Sequence, residues 1–143
     1  MKEIKIIGRG GQGGKTAAEI IAKIALNKGK YMQSFPEYGI RIHSDVKNPD
    51  VVAIIDPTLI LPRMVEGIKS DGILIVNSPE TSEEIKKKLG IKLKNVWTVD
   101  ATNISIRHLG KNIPNTPMLG AISKATELYS LKDVESEIKH KFE

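Results

Sequence analysis

Between Ile7 and Lys15 the chain sets five glycines in seven residues, Gly8, Gly10, Gly11, Gly13 and Gly14, with only the side chains of Arg9 and Gln12 between them. Glycines concentrate where the backbone must turn tightly or approach something closely. An apolar run (Ile4, Ile6, Ile7) precedes them and a helical pattern (Ile20, Ile21, Ile24, Ala25) follows. A glycine loop between a strand and a helix aims backbone N–H groups and the positive helix end into one small volume, which suits an anion such as a phosphate. Two motif readings compete for it. Gly8-x-Gly10-x-x-Gly13 has the spacing of a dinucleotide loop, but the acidic residue that should end the second strand has only Glu37, beyond Pro36, as a candidate. Gly14-Lys15-Thr16 has the ending of a P-loop, and VVAIIDPT resembles the apolar strand whose aspartate holds magnesium. There the first glycine would fall at Arg9, so the loop carries one residue too many to wrap a phosphate and place the lysine. On that count Lys15 and Thr16 read as the exposed first turn of an ordinary helix.

The other candidates for chemistry are few. Asp56 ends an apolar run, where open α/β sheets collect ligands, yet Asp56-Pro57-Thr58 is also a turn sequence. Asn115 and Thr116 precede Pro117 and either hydrogen-bond a ligand or partner or cap the next helix. His43, His108 and His140 are scattered and read as surface or packing residues, and Tyr31 and Phe35 as core. Without cysteine, the chain carries no disulfide, thiol nucleophile, or Cys-ligated zinc or iron–sulfur site, and three dispersed histidines make no metal centre. No catalytic residue and no metal ligand is expected on this chain. The net charge of +5 comes mostly from lysines, densest at Lys86-Lys87-Lys88 and at Lys92 and Lys94. With aromatics at 4% the stacking component of a single-strand binder is missing, so these lysines read as a solvated surface and no nucleic-acid partner is expected. No apolar run is long enough to span a membrane, and the first residues lead directly into a strand pattern rather than a signal peptide.

The elements that must position these residues alternate along the chain. After the first strand and helix, with Gly29 as a stop, Tyr31 to Phe35 reads as a second strand cut by Pro36, and Glu37 to Asn48 as irregular. Val51 to Ile55 is an uninterrupted β-branched run, the pattern of a strand buried on both faces. Leu59 to Ile68 reads as a short helix entered near Pro62. Gly72 to Asn77 is a strand, Ser78 to Leu89 a helix capped by Thr81 or Ser82 and stopped by Gly90, and Asn95 to Asp100 a strand. Ala101 to Leu109 is helical up to Gly110, Lys111 to Pro117 a loop, and Met118 to Leu128 a helix. Leu131 to Phe142 closes the pattern through Leu131, Val134 and Ile138. The pattern specifies an α/β fold, a single Rossmann-like layered domain over residues 1–143 with a mainly parallel sheet, flanking helices and right-handed crossovers.

Four blocks, in order, carry a family resemblance. They are GRGGQG followed by TAAEIIA, the stretch QSFPEYG at Gln33 to Gly39, Pro49-Asp50 through Asp56-Pro57-Thr58-Leu59, and Asn115-Thr116-Pro117-Met118-Leu119-Gly120-Ala121. Together they span nearly the whole chain, which resembles the gamma subunits of 2-oxoacid:ferredoxin oxidoreductases. In that family FPEYG continues into an arginine- and glycine-containing segment resembling PERRGAP and further strand. Here Gly39 is followed directly by IRIHSDVKNPD, so part of the pattern is absent.

The resemblance implies membership of a cytoplasmic, anaerobic assembly that converts a 2-oxoacid and coenzyme A to an acyl-CoA and carbon dioxide while reducing ferredoxin. Alpha and beta subunits, with delta as a further one, are the implied partners, and ferredoxin meets the assembly as a whole. Thiamine diphosphate and the iron–sulfur clusters are then expected mainly on other subunits, with no cofactor held by this chain alone. The backbone N–H groups around Gly10, Gly11, Gln12 and Gly13 would meet a phosphate of coenzyme A or thiamine diphosphate, or a partner's backbone. Arg9 would pair with a phosphate or a partner carboxylate, and Asn115 and Thr116 would hydrogen-bond a ligand or partner. The alternative reading is that the glycines only permit close strand–helix packing and Arg9 is a surface charge. A P-loop-like NTPase or small nucleotide-binding module, and a stand-alone NAD(P)-binding domain, remain the competing functions.

Overall fold

The computed structural model of the chain describes residues 2–30 and 47–142. Its elements are β1 (Ile4–Ile7), α1 (Gly14–Asn27), β2 (Val51–Ile54), β3 (Ile73–Asn77), α2 (Ser82–Leu89), β4 (Asn95–Val99), α3 (Ala101–Leu109), α4 (Asn115–Thr126) and α5 (Leu131–Phe142). The strand expected at Tyr31 to Phe35, the irregular stretch up to Val46, Glu37 and His43 lie outside the described residues.

The described strands form one parallel sheet in the order β1-β2-β3-β4, with Ile4 beside Val51, Val51 beside Ile73 and Ile73 beside Asn95. The expected layering follows from strand alternation. Val51, Ala53, Ile55 and Ile75 face one core with α1 (Ala17, Ile20, Ile21, Ile24), α4 (Met118, Leu119, Ile122) and α5 (Val134). Val52, Ile54, Leu74 and Val76 face the other, against Ile85 and Leu89 of α2 and Ile60 and Val65. Every residue of β2 is 2% exposed or less, as its unbroken apolar run requires of a strand covered on both sides. Burying one such isoleucine contributes about 1.5–3 kcal/mol, so this central strand anchors both layers.

Two expectations about local structure are corrected. Leu59 to Ile68 is not a helix but two 3-10 turns, Pro57–Leu59 and Pro62–Val65, separated by an extended Leu61. The cause is local: a residue before proline is pushed out of the α region, and Pro62 has no N–H with which to continue a helix. The second correction concerns the segment before Met118. Asn115, Thr116 and Pro117 are not loop but the first turn of α4, where a proline costs no helical hydrogen bond. Elsewhere the boundaries move by a residue or a few. The largest shift is in α2, which starts at Ser82 rather than Ser78 because Thr81 and Glu84 form a reciprocal capping box there.

Parallel pairing in register brings the C-terminal ends of the strands to one edge of the sheet. The loops that gather there are Gly8–Gly13 after β1, Asp56–Thr58 after β2, Asn77–Ser78 after β3 and Asp100 after β4. This is the edge at which open α/β sheets place ligands.

Candidate functional site

The glycine loop leaves β1 at Ile7, whose carbonyl accepts from Ile55 N–H at 2.7 Å and so ties the loop's root to the end of β2. Arg9 to Gln12 then form a tight turn with Gly10 and Gly11 at its tip. Gln12 N–H donates to the Arg9 carbonyl at 3.3 Å, and Gly11 has φ +84°, a value that glycine supplies without steric cost at the third position of such a turn. The Gln12 amide returns to the turn's start: its Oε1 accepts from Arg9 N–H at 2.6 Å. Its Nε2 donates to Asp56 Oδ2 at 2.9 Å.

Asp56, only 4% exposed, is the hub beneath the loop. Its Oδ2 also takes the Arg9 Nε at 2.9 Å, and its Oδ1 accepts from Thr58 N–H at 2.8 Å and Thr58 Oγ1 at 2.7 Å. Arg9 reaches Thr58 as well, through Nη2 at 3.2 Å. Burial alone would raise the carboxyl's pKa. The Thr58 hydroxyl and amide, the Gln12 amide and the Arg9 charge outweigh it and hold Asp56 below the usual carboxylate range. Of the two sequence readings of Asp56 the turn-forming one is realised: it caps the 3-10 turn at Thr58. A magnesium role has little room, because the carboxylate's acceptor sites are already occupied.

At the far end of the loop Gly13, at φ +81°, precedes α1 and abuts Asn115, the first residue of α4. A methyl group built on Gly13 would lie 2.6 Å from Asn115 Cγ and 2.8 Å from its Cβ, so only glycine fits. Two helix starts therefore meet at one point, and neither has a side-chain cap or an acidic residue in its first turn. The other helices are finished differently. Thr81 with Glu84 caps α2, Asp100 caps α3, and Ser130 with Asp133 caps α5. In α4 the Asn115 Oδ1 accepts from Thr116 N–H at 2.8 Å, and the Thr116 side chain is exposed. In α1 the first helical bond is Ala17 N–H to the Gly13 carbonyl, leaving the N–H groups of Gly14, Lys15 and Thr16 outside the helical ladder. The free N–H groups at the start of α1 carry positive charge of the kind that suits an anion, whereas in α4 Thr116 N–H is taken by Asn115 Oδ1 and Pro117 has none, so α1 supplies most of it.

The structure thus divides the residues singled out from the sequence. Arg9 and Gln12 are joined to Asp56, Gly13 to Asn115, and Gly10 and Gly11 project with open space around them. Lys15 is 67% exposed, and among the described residues its ion-pair partner is Glu19 at 4.0 Å, as expected of an ordinary first turn. His108 and His140 lie exposed on α3 and α5. Two residues escaped the sequence reading. Thr58 was legible only as the partner that an Asp-Pro-x turn needs two positions on. Asn77 ends an apolar strand yet is buried, donating through Nδ2 to the Ile55 carbonyl at 2.9 Å and Thr102 Oγ1 at 2.8 Å, which locks three strand and helix ends together. Among the described residues no group of three or more His, Cys, Asp or Glu side chains is placed to hold a metal ion, and no helix is long and apolar enough to cross a membrane.

Comparison with known proteins gives the family. The family model for pyruvate ferredoxin/flavodoxin oxidoreductase matches residues 3–46 and 40–143. The two matched stretches overlap at residues 40–46. The pyruvate synthase subunit PorC of Thermotoga maritima is 43% identical over 158 aligned positions, covering 98% of this chain and 82% of that protein. The common gamma subunit of the pyruvate/ketoisovalerate oxidoreductases of Pyrococcus abyssi is 42% identical over 99% of the chain and 87% of its own length. The crystal structure of the Thermotoga maritima pyruvate oxidoreductase subunit PORC superimposes with a TM-score of 0.89 at 42% identity, covering 99% of this chain and 85% of that one. With likeness this extensive in sequence and in fold, the chain belongs to the pyruvate ferredoxin/flavodoxin oxidoreductase family, as a gamma-type subunit of a 2-oxoacid:ferredoxin oxidoreductase.

Proposed function

We propose that this subunit serves a cytoplasmic assembly acting on pyruvate or a close 2-oxoacid, and that its glycine loop faces a phosphate held between it and a partner subunit. The assembly converts the 2-oxoacid, coenzyme A and oxidised ferredoxin to acyl-CoA, carbon dioxide and reduced ferredoxin. Alpha and beta subunits, with delta as a further one, are its companions. Thiamine diphosphate would supply the decarboxylation chemistry when bound. Iron–sulfur clusters do not fit this chain, which has no cysteine to ligate them, and are assigned to the partners. A phosphate, whether of coenzyme A or of thiamine diphosphate, does fit.

The observation that carries this reading is the contact of Gly13 with Asn115, which aims two helix starts without acidic residues at one point beside an open glycine tip. The first-turn N–H groups of α1 bind and orient the anion, and the Asn115 amide lies beside them. The role read for the loop is binding and orientation rather than chemistry. An affinity-tagged chain recovered from its native source should bring down a thiamine-binding companion identifiable by mass spectrometry. Recovery of the chain alone would contradict the subunit role.

A further inference from the structure

We propose that Asp56 is a positioning residue for the glycine loop, fixing Arg9 and Gln12 so that Gly10 and Gly11 stand clear between them; this rests on the reading that the loop faces a phosphate. Three observations carry it. The Asp56 carboxylate accepts from Gln12 Nε2, Arg9 Nε, Thr58 N–H and Thr58 Oγ1, all at 2.7–2.9 Å. A carboxylate offers about four acceptor sites, so it is saturated from within the chain and acts through its neighbours, not on a ligand. The Gln12 amide is engaged at both ends, by Arg9 N–H and by Asp56. Turning it over would set its carbonyl against the carboxylate, so one orientation is fixed. The tip glycines touch nothing within 4 Å of where a side chain would begin. Five glycines would leave this segment with much conformational freedom to lose on binding. The Arg9 and Gln12 anchors remove that freedom in advance.

The assignment also changes the role of Arg9. Its guanidinium is anchored to Asp56 and Thr58 through Nε and Nη2 and so holds the loop's first foot.

The test uses the assembled oxidoreductase reconstituted with variant chains, measuring KM for coenzyme A and for thiamine diphosphate separately from kcat. Asp56→Ala should raise one of the two KM values about tenfold or more with kcat within about twofold, because loosened positioning is lost binding rather than lost chemistry. Gln12→Ala, at a half-buried side chain, should raise the same KM, and the double variant should add nothing further, since both act through one contact. Gly10→Glu, which sets a negative charge at the open tip, should raise that KM independently of Asp56. If Gly10→Glu raises KM while Asp56→Ala and Gln12→Ala change only thermal stability, the positioning role is overturned and the phosphate site stands. If none of the variants moves either KM, the phosphate reading falls, and the proposal with it.

Discussion

Gly13 and Asn115, far apart in the sequence, pack so closely that a methyl group on the glycine would lie 2.6 Å from the asparagine's Cγ. This contact joins the start of α1 to the start of α4 and lets the first and last of the four resembling blocks form one feature.

Replacing Gly13 with alanine should therefore destabilise the chain by about 1–3 kcal/mol or more, combining the left-handed backbone penalty with the collision. Asn115→Ala in the same chain should restore only part of the loss, since Asn115 Cβ itself lies within 2.8 Å of the added methyl. Denaturant unfolding of the single and double variants checks both expectations.

Asp56 makes stability depend on acid. Its folded pKa lies below its ordinary value, so its contribution is fully present above the unfolded pKa of about 3.9 and is lost as pH falls through the lower folded value. Asp50, through the Glu3 amide and Lys69, and Asp133, through the Ser130 amide and Lys28, are shifted in the same direction. Urea unfolding should show stability falling as pH drops below about 4. In Asp56→Asn that fall should be shallower but not abolished, because the other two carboxylates remain.

Lys15 separates the subunit reading from the P-loop alternative. Because it is two-thirds exposed and 4.0 Å from Glu19, Lys15→Ala should change melting temperature little and leave kcat of the reconstituted assembly within about twofold of the wild-type value. A P-loop lysine would instead be indispensable, and ATP should stabilise the native chain in a manner lost in the variant. Thermal shift with and without ATP distinguishes the two.

Much of the fold was legible because its signals are local. The β-branched run of β2 announces double burial, and Thr81 followed by Glu84 announces a capped helix. Where a signal is overridden by chain chemistry, reading failed: Leu59 to Ile68 has helical composition, but Pro57 and Pro62 divide it into 3-10 turns. Site residues were legible by type more than by role. Arg9 was visible as a charge in the glycine loop and Asp56 as a charge ending an apolar run, yet nothing local to either says that they bind each other across forty-six intervening positions. That pairing comes from parallel register, which places the end of β1 beside the end of β2. Asn77 and Thr102 join for the same reason, through strand ends that only the assembled sheet brings together.

The most direct measurement is pyruvate-dependent ferredoxin reduction by partner subunits reconstituted without this chain, with it, and with its Asn115→Asp variant. Aspartate at a helix start favours the helix itself but places a negative charge where the two helix starts meet. The wild-type chain should restore turnover that the partners lack. The variant should assemble equally well yet need about tenfold or more of coenzyme A or thiamine diphosphate to reach half its maximal rate. Full activity of the partners without the chain, or an Asn115→Asp subunit with both requirements unchanged, would contradict the account.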